Sequence, residues 1–507
     1  MSSFSDRLTQ IIKNSSTNIQ RLSTKINVER PTFHKYISGD RVPTSSDFVD
    51  AFATEMMLST HEKAELLEYY KIARMGVGNY TRRRTVHRIL ENAGHTEVIR
   101  QAPISNSYFH QIGSKSEASP LCGISNVRNV IRSVLEIESN SEDGGIFIFA
   151  QPNNEFIMEL LHSLCFDTDV KIEHVFCLEK TVSNDNDNLY NLKCFQSLFP
   201  LLFYSDQYTP LYYYDTIANQ LNIFQYLIIT KEAGIGFSAD CHAGILYQSQ
   251  GLLNLLHDVY RSVKKFANPM IKPIVSTADH AKIYTDNFIK GNFLKHVLEP
   301  EPCLGMFFTD ELIEKKILMD LPQRDIVINL SKELYLKQNW RFESKHPPTI
   351  YFSFAGLEDF CNSGRITEIP EYVYDPFTIE ERIDLLTKLY DAAKTKEFCT
   401  MIANSQKFNL PNNVILSSYN NESVTLVLIT PDKRPISLFL YENSISYALV
   451  DFMKYLESSD YILSVKETLN IIAKQIDKLK QTMGTNAMGT EVLARSAIGT
   501  EVLARRL

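Results

Sequence analysis

The sequence predicts a multidomain chain: an all-α N-terminal unit followed by a two-lobed α/β body built on mixed sheets. Three observations carry this. Apolar residues recur at helical spacing through roughly the first 75 residues. From Gly144 onward strand patterns alternate with helical ones. Within that second part a hairpin-plus-helix block occurs twice, as YLIITKEAGIGFSAD followed by GLLNLLHDVYRSV, and as TLVLITPDKRPISLFLY followed by YALVDFMKYL.

The totals fit that outline. A chain of 507 residues has room for two to four domains with buried cores. Apolar content of 44% and charged content of 22% are those of a globular protein in water. No run of about 18 apolar residues occurs, so no membrane partner is expected. The start, MSSFSDRLTQ, lacks the basic then apolar layout of a secretory signal. The eight cysteines form no C-x-x-C pair and sit mostly among apolar residues. That predicts reduced thiols and a cytoplasmic location, with no metal site and no cofactor.

The net charge of −8 excludes a protein that coats nucleic acid over its whole surface. Charge is unevenly placed, however. Residues 1–100 hold 15 Lys+Arg against 11 Asp+Glu, a surplus of four, which leaves −12 for the remainder. A mildly basic head on an acidic body suits contact with DNA through one end only.

In the head, Phe4–Lys13 places Leu8, Ile11 and Ile12 on one side and predicts a first helix. Asn18–Pro43 follows, NIQRLSTKINVERPTFHKYISGDRVP. Leu22 and Ile26 mark one short helix, Asn27–Val28 a break, and Phe33, Tyr36 and Ile37 a second. Arg30, Thr32, His34 and Lys35 lie between the apolar positions and share its outer face. Two short helices joined by a tight turn form a helix-turn-helix, whose second helix enters a major groove. Gly39 suits the left-handed end of that helix. Ser45 or Ser46 is placed to cap the next helix, Asp47–Met57, and Thr60–Ala73 is amphipathic, with Glu62 in its first turn. Thr60-x-x-Lys63 makes no capping box.

The run Asn27-Val28-Glu29-Arg30-Pro31-Thr32-Phe33-His34-Lys35-Tyr36-Ile37-Ser38-Gly39-Asp40-Arg41-Val42-Pro43 resembles the Xre-type (lambda-repressor-like) helix-turn-helix family. Two positions depart from the family pattern: Glu29 replaces a small hydroxyl residue and Ile37 an acidic one. The resemblance covers about the first 75 residues and implies double-stranded DNA as partner and a homodimer. Carried over position by position, it implies that Thr32, His34 and Lys35 face base edges or nearby phosphates. Arg30 and Arg41 would contact backbone or base, and Asn18 and Ser38 would approach phosphates.

The domain plan is residues 1–75 for the DNA-binding unit and 76–115 for a connector helix and linker. The two α/β lobes take 116–340 and 341–478, and a flexible tail 479–507. In the connector, Gly76 and Gly78 end the helical unit, and Arg82, Arg83 and Arg84 form a basic cluster suited to phosphate contact; the plain alternative is a solvated linker helix. In the first lobe, strands are expected at Gly145–Gln151, Lys171–Glu179 and Pro210–Asp215, with helices at Glu155–Cys165, Leu189–Phe203 and Gly251–Phe266. Hairpins are expected at Phe224–Asp240 and Val424–Tyr441. Strands at Thr349–Phe354, Glu397–Ala403 and Asn413–Tyr419 and helices at Thr378–Lys394 and Ser444–Leu456 complete the second lobe. The tail repeats GTEVLAR at an offset of ten residues, a period of no known packed repeat.

Catalytic signatures are sparse. No G-x-S-x-G elbow, Walker loop, H-E-x-x-H helix or dinucleotide fingerprint occurs. The two-lobed layout resembles the phospholipase D superfamily, whose His-x-Lys-x-x-x-x-Asp is approached by His280 and Lys282. Position eight, however, is Asn287, and no second copy exists. Asp240-Cys241-His242 reads as a loop, and Tyr212–Tyr214 with Tyr204 and Tyr208 reads as core packing or a pocket lining. The sequence therefore predicts a DNA-binding transcriptional regulator, not an enzyme, with a body that senses an unidentified small-molecule, peptide or protein effector. The alternatives are a phosphodiesterase or nuclease targeted by the head, and a pheromone receptor with a helical-repeat body, which the hairpins oppose.

Overall fold

The computed structural model describes residues 4–15, 17–93, 117–180, 189–215, 225–274, 293–336, 348–396, 399–420 and 422–483. The chain forms two compact units, residues 1–85 with 185–189, and the rest.

The first unit contains α1 (Phe4–Ser15), α2 (Ile19–Lys25), α3 (Arg30–Ser38), α4 (Asp47–Glu55) and α5 (Thr60–Met75). Its core gathers Phe4, Leu8, Leu22, Phe33, Phe48 and Phe52 with Leu66 and Tyr70. Gly76 ends α5 at φ +82°. Gly78, expected to extend that break, lies inside α6 (Val77–Ala93), of which residues 77–85 belong to this unit. Ser45, not Ser46, supplies the oxygen that the first amide of α4 donates to. A capping box does open α5, one residue ahead of the pair tested in the sequence. Ser59 Oγ accepts from the Glu62 amide, and the Glu62 carboxylate accepts from the Ser59 amide.

The second unit opens with β1 (Ala118–Cys122), α7 (Ile124–Ser139), β2 (Gly145–Phe149), α8 (Glu155–Asp167) and β3 (Lys171–Leu178). Then come α9 (Leu189–Leu198), a 3-10 turn (Phe199–Tyr204), β4 (Tyr208–Tyr214), β5 (Tyr226–Ile229), β6 (Gly234–Phe237), β7 (Ala243–Tyr247), α10 (Gln250–Lys264) and β8 (Asn268–Pro269). The single helix expected over Leu189–Phe203 is divided because Pro200 removes an amide donor, and the chain tightens into the 3-10 turn. Among the described residues the strands form one mixed sheet in the order β1-β7-β6-β5-β2-β3-β4-β8.

The second sheet uses β9 (Ile271–Ile274), β10 (Leu294–Leu298), β11 (Thr349–Phe352), β12 (Cys399–Ile402), β13 (Val414–Tyr419), β14 (Val424–Ile429) and β15 (Pro435–Leu440), in the order β12-β11-β10-β13-β14-β15-β9. Between and after these strands lie α11 (Asp310–Lys316), α12 (Arg324–Leu336), α13 (Phe354–Ser363), α14 (Ile379–Lys394), α15 (Asn443–Leu456) and a helix over residues 465–483. Strands β9 and β10 fall within the range read as the first lobe, yet they pair in the second.

The two sheets are topological duplicates. In the first, β2, β3 and β4 run parallel, and β5, β6 and β7 return as an antiparallel meander closed by β1. In the second, β10, β11 and β12 run parallel and β13, β14 and β15 form the meander, closed by β9. The hairpin matched to β5–β6 in the sequence is therefore displaced by one strand: β14–β15 corresponds to β6–β7. The closing strands β1 and β9 lie at sheet edges, and each carries a proline, Pro120 and Pro273, as an edge tolerates.

One apolar core runs through both sheets of this unit, from Ile146 and Phe176 to Leu426 and Phe452, and takes in Val86, Ile89 and Leu90 of α6. A second core lies around Ile350, Phe360 and Leu385. The cysteines are free thiols; Cys122 is exposed, Cys303 and Cys399 half-buried and the others buried.

Candidate nucleic-acid interface

The helix-turn-helix forms as the sequence pattern dictates. Asn18 caps α2, its Oδ1 accepting from the amides of Gln20 (2.8 Å) and Arg21 (3.4 Å). Asn27 takes the left-handed conformation at φ 55°, turning the chain before α3. Gly39 ends α3 at φ +84°, and the Arg41 amide donates back to the Lys35 carbonyl at 3.1 Å.

Within α3, Phe33 and Tyr36 are buried, and both stack at tilted or edge-on angles against Phe48. The opposite side is open: Arg30, His34, Lys35 and Ser38 are exposed, as are Arg41 and Asn18, while Thr32 is half-buried. Residues four apart on a helix lie one above another, so Arg30, His34 and Ser38 form a stripe with Lys35 alongside. Such a row of cations and donors matches phosphates and base edges. Glu29 gives α3 no side-chain cap, and Pro31 at its start needs none for its missing amide.

Ser38 is engaged within the protein, its hydroxyl donating to Asp40 Oδ2 at 2.6 Å. Arg82, Arg83 and Arg84 do not share a face, because successive helical residues point about 100° apart. Arg82 is buried and donates to Asn79 Oδ1 at 2.5 Å, and Arg83 is half-buried. Arg84 is exposed but paired with Glu68 and set over the Tyr80 ring. The basic run is thus largely committed to its own helix and neighbour. Sequence reasoning passed over Arg21, an exposed cation in the first turn of α2; its polar place between Ile19 and Leu22 was the available signal.

The other patterns resolve as follows. His280, Lys282 and Asn287 lie outside the described residues, as do Gly94–Arg100, most of the linker and the repetitive tail from residue 484. Asp240-Cys241-His242 is the turn between β6 and β7: Asp240 accepts from Ser238 and from the His242 amide, which holds its carboxyl below the usual range. Tyr208 is fully buried on β4, where its hydroxyl meets His174 Nδ1 at 2.7 Å. Among the described residues no helix is long and apolar enough to cross a membrane.

No protein-family model matches the sequence, and no curated protein does. Several solved structures are similar. One is TrmBL2, an archaeal chromatin protein described as showing a novel mode of DNA binding: 9% identity over 48% of this chain and 84% of that one, TM-score 0.21. Another is a polyphosphate kinase from Porphyromonas gingivalis: 10% identity over 76% of this chain and 60% of that one, TM-score 0.21. A third is a phosphatidylserine synthase from Haemophilus influenzae Rd KW20: 10% identity over 80% of this chain and 98% of that one, TM-score 0.24. At such scores the likenesses place a DNA-binding protein and a lipid-synthesising enzyme side by side among the similar structures and decide nothing between them.

Proposed function

We propose that this chain is a sequence-specific, DNA-binding transcriptional regulator of the Xre type, with a body that senses an effector and holds a homodimer rather than catalysing a reaction. The observation that carries this is the open stripe of α3, where Arg30, His34 and Lys35 stand exposed over a helix anchored by Phe33 and Tyr36. These groups lie together on the side of α3 turned away from its buried aromatics. Arg41 and Asn18, both exposed, are the backbone contacts of this reading. Two copies of so small a head on a symmetric site supply affinity that one lacks.

The test is fluorescence anisotropy on the DNA upstream of the protein's own gene. Loss of a good base contact costs about 1–3 kcal/mol, so Arg30→Ala/Lys35→Ala is expected to weaken binding at least about tenfold. Unchanged affinity in the double variant removes the assignment.

A phosphodiesterase is the second reading, favoured by the duplicated topology of the body. It is opposed by the position of His280, which falls in sequence between β9 and β10. The corresponding connection of the first lobe, between β1 and β2, contains neither histidine nor lysine. Phosphodiester hydrolysis abolished by His280→Ala is the result that would restore it.

A further inference from the structure

The second unit contains a cavity of about 470 Å³, within the range of small-molecule sites. Phe203 and Tyr204 of the 3-10 turn line it together with Glu301, Arg365 and Asn413. Gly356 of α13 also borders it, where a Cβ would lie 2.1 Å from the Pro300 carbonyl oxygen, so glycine is required to bring that wall together.

The donors and acceptors of this wall are unequally used. Arg365 Nη1 is committed to the carbonyls of Glu371 (3.1 Å) and Tyr374 (2.8 Å), and Lys433 to the Glu371 carboxylate at 2.9 Å. The carboxylate is less well served. Glu301 is 7% exposed, and among the described residues no cation pairs with it; the Thr367 hydroxyl donates to its carboxylate, as do backbone amides of Thr367 and of Glu301 itself. Asn413, also on the border, is committed within the protein, its Nδ2 donating to the Ala93 carbonyl at 2.7 Å. A buried carboxylate without a counter-ion is costly in isolation. Apolar surface from Phe203, Ile366 and Ile429 completes the lining.

We infer that this cavity is a binding site for a small organic amine, whose ammonium group pairs with Glu301 while its carbon body packs on the apolar wall. A carboxylate-bearing ligand fits poorly beside the buried negative Glu301: Lys433 is already paired with Glu371, and Arg365 Nη1 already donates to two carbonyls. Calling the ligand an effector rests on the regulator reading; binding itself does not, and it is measured without DNA, so the two fail separately.

Titration calorimetry on the full chain at pH 8 tests the site with four probes: phenylethylamine, tyramine, agmatine and putrescine. Phenylacetate and 2-phenylethanol serve as the anionic and neutral counterparts of the first. At least one amine is expected to bind one per chain, at least about tenfold weaker in Glu301→Gln, a loss of one charge-assisted pair. Asn412→Trp, at an exposed residue on the cavity's border, is expected to abolish that binding without touching Glu301. No binding by any amine overturns the inference. So does affinity unchanged in either variant, or 2-phenylethanol binding as tightly as the amine, which would make the wall a site for neutral hydroxyl donors.

Discussion

Glu301 is also where burial leaves its clearest mark on stability. Desolvation pushes its carboxyl up to about 7, helped by the neighbouring Glu368 and opposed by the Thr367 hydroxyl. Between its ordinary value near 4.5 and about 7 the unfolded chain has lost this proton and the folded chain has not. Stability from this group therefore falls as pH rises through that window, by about 3 kcal/mol in total. Glu301→Gln is expected to be the more stable protein in urea at pH 8 and equal to the parent at pH 4. Equal stability at pH 8 would mean the carboxylate is already compensated. His174 and His296 act with the opposite sign. Burial pushes both down to about 4, and His174 is held neutral between Tyr208 and the Ala150 carbonyl, to which its Nε2 donates at 2.9 Å. Each contributes stability that is complete above about 6.5 and lost as pH falls toward 4, again about 3 kcal/mol apiece. Two histidines outweigh one glutamate, so the chain is expected to weaken on acidification below pH 6.5. His174→Gln is expected to flatten that limb in urea melts across pH.

At the scale of elements, the first unit depends on how its helices end. Gly39→Ala forces a Cβ into the left-handed region and to 3.0 Å from Ser5 Oγ, at a cost of about 1–2 kcal/mol. Ser59→Ala removes half of the capping box and is expected to cost about 1 kcal/mol, read from thermal melts. The helix-turn-helix was legible because its signals are local: a break at Asn27, buried aromatics at Phe33 and Tyr36, a glycine at the end. Most strands of the body were legible for the same reason. β1 and β9 were not, because Pro120 and Pro273 look like loop residues, and only pairing at a sheet edge makes them strands. β7, AGILY, follows directly on the Asp240–His242 turn that was read as loop, and its omission displaced the match between the two hairpins. α7 was passed over although Val127, Val130, Ile131 and Val134 mark its buried face plainly. The cavity was beyond reach, since it joins Phe203 to Asn413 across some 200 residues of chain.

For the whole molecule, the proposed DNA binding by a basic N-terminal unit in an otherwise acidic chain makes salt its natural probe. The logarithm of affinity is expected to fall linearly with the logarithm of salt, and the slope to shrink by about one for each phosphate-contacting cation removed. Measuring that slope for Arg41→Ala and Arg84→Ala separates an open cation from one already paired with Glu68. Arg41 is expected to change it and Arg84 to leave it alone.

The chain passes from one duplicated sheet into the other at Met270. Its amide donates to the Pro210 carbonyl on β4, its carbonyl accepts from the Tyr441 amide beyond β15, and its side chain is fully buried. One step along the backbone thus leaves the rim of one layer and enters the rim of the next. During synthesis the upstream layer is complete on arrival of Pro269, whereas β9 waits for the segment ending at Leu440, some 165 residues later. Until that partner emerges from the ribosome, a hydrogen-bonding edge stands uncovered. The later half of translation is then the interval in which the nascent protein most needs shielding from self-association.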